Sequence, residues 1–267
     1  MNERSYLTTQ QARRTYDRIG RLQDLQAIYE HRAIRELLAH ADFEHARAVF
    51  ELGFGTGALA KRLLERHLPN DCRYVGLELS PRMHRLAQRR LRAFSARAVL
   101  LLGEGALQLP FPAGEFDRFV ATYVLDLLSP DDIRLVLTEA QRMLAPGGLL
   151  CLISLTHGSG WAGKLIARAW AWLWSRQPAV VGGCRALELP AYLTEDWAVQ
   201  HSAIASSAGI SSDVLVALKG LTGPPAPGRA EHRASGRPRR TPARDCGVCA
   251  RHARVRRLVG LEISLDS

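Results

Sequence analysis

A glycine-rich stretch, Glu51 to Ala58 ("ELGFGTGA"), contains residues whose types and spacing could hold a nucleoside cofactor. As Gly53-x-Gly55-x-x-Ala58 it fits the fingerprint that binds the pyrophosphate of a dinucleotide. As Glu51-x-Gly53-x-Gly55-x-Gly57 it fits a loop that holds a nucleoside with a cationic amino-acid tail. Glycines let the backbone approach a ligand, and the following helix offers free N–H groups. The loop alone does not distinguish between these two ligands, nor does it exclude an ordinary tight turn without a ligand.

Two acids near this loop bear on the choice. Glu51 lies two residues before the first glycine, where a carboxylate can reach an amino-acid group through water or the loop backbone. The same charge would repel a pyrophosphate, which favours the second ligand. Glu78 ends a strand-like segment, where it can accept hydrogen bonds from both hydroxyls of a ribose. That feature serves either cofactor.

Strand and helix patterns alternate around the loop, which predicts a parallel α/β sheet. The apolar residues between Thr15 and Ala41 recur at helical spacing, so helices precede the first strand, whereas a dehydrogenase fold usually starts at that strand. The predicted strands are Ala48–Leu52, Arg73–Leu79, Ala98–Leu102, Phe116–Thr122, Leu149–Ser154, Trp197–Ala205 and Asp213–Leu218, the last two separated by the turn "SSAGISS". The predicted helices run from Ala58 to about His67, from the N-cap Ser80 to about Phe94, and from Ser129 to Ala145–Gly148.

The run from Leu109 to Leu150, "LPFPAGEFDRFVATYVLDLL" and onward through "RMLAPGGLL", resembles the class I S-adenosylmethionine-dependent methyltransferases. It is most similar to the branch that methylates quinones, phospholipids and other small molecules. In that branch "LPF" precedes an acidic turn, "FD" begins the fourth strand and "L-x-PGG" joins the fourth helix to the fifth strand. The resemblance covers roughly Tyr16 to Lys219. It implies a Rossmann-like doubly wound α/β sheet, mostly parallel with an antiparallel last strand, and helices on both faces.

The resemblance also implies a site for S-adenosylmethionine. The glycine loop would face the methionine part of the cofactor, Glu78 would hold the ribose, and Leu79 and Met83 would lie against the adenine. Relatives usually have an acid followed by alanine before "LPF", whereas this chain has Gly105-Ala106 and places the acid, Glu104, one residue earlier. The adenine contact then comes from a shifted loop or from a backbone group, and Glu104 is equally a solvated turn acid. The predicted cofactor residues are Glu51, Gly53, Gly55, Thr56, Gly57, Glu78, Leu79, Met83, Glu104, Gly105 and Ala106.

Four side chains are candidates for acting on the methyl acceptor. Tyr123 and Asp126 follow the fourth strand, and Asp126 could orient or deprotonate an acceptor or simply cap the next turn. His157 follows the fifth strand, where it could act as a base or be merely exposed. Tyr16 matches the family's "YD" segment over the cleft, with ordinary helix packing as its alternative. The motifs of nucleobase methyltransferases, Asn/Asp-Pro-Pro-aromatic and Pro-Cys, are absent, so no specific nucleic-acid partner is expected.

The resemblance and the composition divide the chain into three parts. Residues 1–45 form a predicted helical segment over the cofactor cleft, 46–220 the methyltransferase domain, and 221–267 a basic Pro/Gly/Arg-rich tail without fixed structure. The tail has ten arginines against four acids, which is +6 of the total charge of +10. Its Cys246-x-x-Cys249 pair with His252 has the spacing of half a zinc site, and without a second pair we predict no metal.

The lack of targeting and membrane-spanning segments, together with one predicted helix, indicates where the protein is located and what it contacts. No signal peptide or membrane span is evident, and Cys72, Cys151 and Cys184 lie in contexts typical of reduced thiols, so a cytoplasmic protein is expected. The segment Trp161 to Trp174 holds four of the five tryptophans and has the pattern of a basic amphipathic helix. Such a helix could bind an anionic membrane surface or a lipid-like acceptor, or it could pack on the sheet. The sequence thus predicts a methyltransferase for a small, hydrophobic or lipid-like acceptor, with a non-catalytic S-adenosylmethionine-binding regulator as the alternative.

Overall fold

The structure, a computed structural model, describes residues 23–156, 185–207 and 210–220, and in the first helix it describes side chains from His31 onward. The helices are α1 (Gln23–His40), α2 (Ala58–Arg66), α3 (Pro81–Arg90) and α4 (Pro130–Met143), with short 3-10 helices at Phe43–His45, Arg92–Phe94, Leu125–Leu127 and Leu189–Tyr192. The strands are β1 (Ala48–Leu52), β2 (Arg73–Glu78), β3 (Ala98–Leu102), β4 (Phe116–Thr122), β5 (Leu144–Thr156), β6 (Trp197–Ser207) and β7 (Ile210–Lys219).

The strands form one seven-stranded sheet in the order β3-β2-β1-β4-β5-β7-β6. The first five strands in the chain pair in parallel, and β7 lies between β5 and β6, antiparallel to both. The Rossmann-like doubly wound fold with an antiparallel last strand is therefore confirmed. The order reverses direction between β1 and β4, and ligands of open α/β sheets bind at such a switch point, outside the carboxyl ends of the strands.

The predicted helix starts agree with the capping geometry. The Ser80 hydroxyl accepts a hydrogen bond from the Met83 N–H at 3.2 Å, and a proline follows at the first helical position. The Ser129 hydroxyl accepts from the Asp132 N–H at 3.1 Å, again with proline next. These caps satisfy N–H groups that the first helical turn leaves without partners.

Several predicted boundaries are wrong. The helix expected to end at Ala145–Gly148 ends at Met143, and β5 begins at Leu144, because Leu144 already pairs with Phe116 before the "APGG" bulge. The ladder resumes with Arg118 opposite Leu149. The seven-residue turn "SSAGISS" is also too long, since β6 continues to Ser207 and β7 starts at Ile210. Serines that suggest a turn by composition instead pair across the hairpin.

The two faces of the sheet are both buried. Val49 and Val120 lie in one core with Leu37 of α1 and Leu63 of α2. The neighbouring residues Phe50 and Phe119 point to the opposite face, because side chains alternate along a strand. There they form an aromatic cluster that also contains Phe111 and Phe116, with ring centroids 5.2–5.4 Å apart. The carboxyl-end edge of the sheet is left for a ligand.

The chain divides into two units, Met1–Leu221 and Thr222–Ser267, and the second lies outside the described residues. Within the ranges that the structure describes, none of the helices combines the length and the apolar character needed to cross a bilayer.

Candidate cofactor site

The loop between β1 and α2 depends on the left-handed backbone of its three glycines. Gly53, Gly55 and Gly57 have φ angles of +71°, +53° and +74°. A Cβ atom on Gly53 would lie 2.4 Å from Cγ2 of Val124, which follows β4. One on Gly57 would lie 2.9 Å from the Cβ of Ala87 in α3. The glycines thus allow a conformation that other residues adopt only with strain, and let neighbouring elements come close.

Glu78 ends β2 beside this loop, and its carboxylate ties the two together. Its Oε2 accepts a hydrogen bond from the Gly55 N–H at 2.8 Å. Its Oε1 accepts from the N–H groups of Leu79 and Ser80, at 2.9 and 2.8 Å. Burial raises the pKa of Glu78, and the three backbone N–H groups oppose that rise. The result is a nearly buried carboxylate held in a fixed orientation at the carboxyl edge of the sheet.

Glu51 is more deeply buried than its place in the loop pattern suggests. It is 1% exposed and lies on β1 opposite Gly76 of β2. Its Oε2 accepts a hydrogen bond of 2.5 Å from the Tyr74 hydroxyl. Burial raises the pKa of Glu51 to about 7, and the Tyr74 hydrogen bond limits the rise. A group with this pKa is partly protonated at neutral pH.

This raised pKa predicts a loss of stability as the pH rises. The folded state keeps a proton on Glu51 up to about pH 7, while the unfolded chain loses it near the ordinary pKa of 4.5. The stabilisation from that proton is therefore complete below pH 4.5 and is lost between pH 4.5 and pH 7. Glu51→Gln removes this titration. As the pH rises from 5 to 8, the free energy of unfolding of Glu51→Gln should therefore increase by about 2–3 kcal/mol relative to that of wild type, measured by urea denaturation.

A second variant checks the assignment of this pH effect. Tyr74→Phe removes the hydrogen bond that limits the pKa of Glu51, so the loss of stability should extend to a higher pH. A wild-type pH profile identical in shape to that of Glu51→Gln would contradict the assignment.

The predicted adenine side is arranged around the end of β3. Glu104 and Ala106 are exposed, and Gly105 between them has a φ of +100°. A residue with a side chain would be strained at that angle, which gives a physical reason for glycine where relatives usually have an acid. Leu79 is half-buried, whereas the Met83 side chain is completely buried. Their roles toward adenine, and that of Glu104, remain predictions.

Thr56, in the glycine loop, is held by a neighbouring helix. Arg90 of α3 donates hydrogen bonds from Nη1 to the Thr56 hydroxyl at 2.6 Å and to its carbonyl oxygen at 3.1 Å. The threonine is 8% exposed. Its contact with Arg90 fixes the end of the loop against α3, and a direct contact with a cofactor remains a prediction.

The candidates on the acceptor side occupy different environments. Tyr123 directly follows β4 with a φ of +56°, and its hydroxyl lies 2.9 Å from the Ser212 hydroxyl of β7. Asp126 is fully buried and accepts hydrogen bonds from the Ser154 hydroxyl and from the Leu155 N–H. Burial raises the pKa of Asp126 to about 7. These contacts tie the turn after β4 to β5, and a role of Asp126 toward the acceptor remains a prediction. His157 and Tyr16 lie outside the described residues.

Comparison with known proteins bears on the family. Residues 49–148 match a family model described as a methyltransferase domain. The chain is 30% identical over 128 residues to 2-methyl-6-phytyl-1,4-hydroquinone methyltransferase 1 of Oryza sativa, and 36% identical over 107 residues to demethylmenaquinone methyltransferase of Thermus thermophilus. Residues 49–148 therefore form a methyltransferase domain similar to those of these enzymes.

These matches cover only part of each protein. The match to the rice protein spans 48% of this chain and 37% of that protein, and the match to the Thermus protein spans 40% of this chain and 46% of that protein. A malonyl-[acyl-carrier protein] O-methyltransferase of Laribacter hongkongensis is 31% identical over 58% of the chain and 54% of its own length. The chain therefore spans about half the length, or less, of these curated relatives.

Solved structures agree on the fold. The [4+2]-cyclase SpnF superposes with a TM-score of 0.60 and 18% identity, covering 81% of this chain and 98% of its own. The N-methyltransferase NodS of Bradyrhizobium japonicum, solved with S-adenosyl-L-homocysteine, gives a TM-score of 0.54 and 21% identity over 71% of this chain and 87% of NodS. At such identities the likeness extends to the fold alone.

The residues at the glycine loop fit S-adenosylmethionine. Gly53 makes room at the point where the loop meets Val124, and Glu78 presents a fixed carboxylate beside Gly55. The fixed carboxylate of Glu78 at the loop suits a ligand that carries a cationic sulfonium.

Sequence reasoning missed the contribution of Tyr74. Its hydroxyl is the hydrogen-bond donor to the Glu51 carboxylate, from the neighbouring strand. A signal was present, because Tyr74, Gly76 and Glu78 alternate along β2 and so share one face with the paired Glu51. Gly76 matters there too, since a Cβ at that position would lie 3.1 Å from the Tyr74 hydroxyl and 2.5 Å from Phe54.

Proposed function

We propose that the protein transfers a methyl group from S-adenosylmethionine to a small, hydrophobic acceptor of the quinol type. The observation that carries this proposal is the junction of loop and carboxylate, with the Gly55 nitrogen 2.8 Å from Glu78 Oε2 at the carboxyl ends of β1 and β2, next to the switch point of the sheet. The acceptor class rests on the rice and Thermus relatives, whose names specify a hydroquinone and a menaquinone precursor.

The chain's own residues would bind and align the reactants. When bound, S-adenosylmethionine supplies a methyl group already activated on a sulfonium, so transfer needs alignment and exclusion of water more than acid–base catalysis. Glu78 holds the ribose hydroxyls, and the glycine loop receives the methionine part. Tyr123, after β4, lies on the acceptor side of this arrangement. The buried Asp126 keeps the turn after Tyr123 attached to β5.

Calorimetry followed by a product screen tests the proposal. The full chain is expected to bind S-adenosylmethionine and its demethylated product S-adenosylhomocysteine, each with one site. Incubation with quinols, phenols and phospholipid amines should then give a methylated quinol and an equal amount of S-adenosylhomocysteine. Tight cofactor binding without turnover on any acceptor would favour the non-catalytic regulator instead. Failure to bind either nucleoside would exclude both functions.

We also propose that the protein acts in the cytoplasm and contacts membranes only peripherally. In the described part of the chain, Cys72 and Cys151 are free and buried, and burial raises the pKa of each thiol to about 12, so both are unreactive. The tryptophan-rich segment Trp161 to Trp174, on which membrane contact depends, lies outside the described residues. Co-sedimentation with vesicles containing anionic lipid tests that contact, and absence of binding with normal turnover on a soluble quinol would refute it.

A further inference from the structure

A group of side chains of the kinds that bind metals lies between α1 and the edge strand β6. Glu36 and His40 are one helical turn apart on α1, and His201 comes from β6. One ligand atom from each lies within 4.8 Å of the others. We infer that this group, the Glu36–His40–His201 cluster, binds a divalent transition-metal ion of the zinc type. Neither the family match nor the proposed function involves this cluster.

The distances suit a zinc ion. Zinc takes nitrogen and oxygen ligands at about 2.0–2.2 Å in tetrahedral geometry, so neighbouring ligand atoms are about 3.4 Å apart. Glu36 Oε1 lies 3.1 Å from His201 Nε2, close to that spacing. The two imidazole rings stack with centroids 3.6 Å apart and planes at 7°. Modest rotation of the rings out of this stack would direct one nitrogen of each toward an ion beside Glu36.

The hydrogen bonding of the two histidines prepares them as ligands. His40 Nδ1 lies 2.9 Å from the Glu36 carbonyl oxygen, which can only accept, so Nδ1 donates and Nε2 keeps its lone pair. A backbone contact of this kind commonly orients a metal-binding histidine. His201 Nε2 is buried, and although it lies 3.1 Å from Glu36 Oε1, the geometry does not make a hydrogen bond within the described ranges. A buried nitrogen without a hydrogen bond costs free energy, and coordination to a metal ion would remove that cost.

The backbone of β6 aims His201 at α1. The pairing of β6 with β7 shifts between Val199 and His201, and such a bulge redirects the side chains beside it. Next to the bulge, His201 lies opposite Val216 of β7. From Val216 the paired residues on successive strands are Cys151 of β5, Val120 of β4 and Glu51 of β1. These four strand spacings place the cluster about 19 Å from Glu51. The proposed metal therefore joins α1 to the sheet edge, apart from the cofactor loop.

The ligand set and its exposure decide which ion binds and how it enters. Two imidazoles and one carboxylate favour zinc or its transition-metal neighbours over magnesium and calcium, which prefer oxygen ligands. The side chains of Glu36 and His40 are 38% and 41% exposed, so an ion can enter from solvent. Water would complete the coordination.

Calorimetric titration with Zn²⁺ after treatment with a chelator tests the proposal on the full chain. His201→Ala and Glu36→Gln should each bind one Zn²⁺ fewer per chain than wild type, or bind at this site more than about tenfold more weakly. Zn²⁺ should also raise the melting temperature of wild type and leave that of His201→Ala unchanged. His31→Ala, which removes an exposed histidine from the same helix, should behave as wild type.

Other possible zinc ligands in the chain define the results that would overturn the proposal. The exposed Asp42, Glu44 and His45 form a second group of possible ligands, and Cys246 and Cys249 lie in the tail. Zinc binding that persists in His201→Ala and is lost in His45→Ala or Cys246→Ser would overturn the proposal, as would a wild type that binds no Zn²⁺. If His201→Ala fails to fold, by circular dichroism, His40→Ala takes its place, because its side chain is largely solvent-accessible.

Discussion

Glu78→Ala should reduce the affinity for S-adenosylmethionine by about 100-fold or more. Two hydrogen bonds from ribose hydroxyls to a carboxylate are worth about 1.5–3 kcal/mol each, and 1.4 kcal/mol is a tenfold change in affinity. The substitution also removes the acceptor for the N–H groups of Gly55, Leu79 and Ser80. The loop and the end of β2 would then lose the group that holds them together. Isothermal titration calorimetry measures the change.

The controls separate binding from folding. Glu65→Ala removes a carboxylate of α2 that is 38% exposed and paired with Lys61 at 3.4 Å, so it should bind the cofactor as wild type does. Glu78→Gln keeps an acceptor oxygen and should give an intermediate affinity. Thermal unfolding shows whether each variant is folded at the titration temperature. A folded Glu78→Ala with wild-type affinity would show that this carboxylate does not hold the ribose.

The elements around the site could be predicted from sequence because local signals specify them. The bounds predicted for β1, β3 and β4 are those of the structure, and serine–proline pairs mark the starts of α3 and α4. The start of β5 could not be predicted, because it depends on the pairing of Leu144 with Phe116, which are distant in the chain. Composition alone suggested a helix end at "APGG".

The chemistry of the site was harder to predict from the sequence, because it too depends on residues that are distant in the chain. The sequence shows Glu51 and Glu78 as acids of a loop and a strand end, but not that Tyr74 donates to one and Gly55 to the other. Asp126 follows a strand at the carboxyl edge, which suggested a role toward the acceptor. Its partners, Ser154 and Leu155, belong to a strand almost thirty residues later and draw it into the core. Burial of a polar side chain depends on such distant partners.

Gly53→Ala should destabilise the protein far more than Gly147→Ala, although both glycines have nearly the same backbone angle. Their φ values are +71° and +76°, so each alanine pays about 1–2 kcal/mol for a left-handed conformation. A Cβ on Gly147 meets nothing within 4 Å, whereas one on Gly53 lies 2.4 Å from Val124 Cγ2. The clash adds about 1–3 kcal/mol, as overpacking does elsewhere. Urea denaturation measures both variants.

The double variant Gly53→Ala/Val124→Ala isolates the clash. Without the Val124 methyl groups most of the clash disappears and the backbone strain remains. The stability that the double variant loses relative to Val124→Ala should therefore approach the stability that Gly147→Ala loses relative to wild type. In the proposed function the Gly53 loop receives the methionine part of the cofactor, so Gly53→Ala should also weaken S-adenosylmethionine binding, while Gly147→Ala, in the bulge of β5, should not. Equal losses of stability in the two single variants would mean that Val124 does not pack against the loop. The close approach of β1 and β4, rather than backbone conformation alone, is what requires glycine at the first position of the motif.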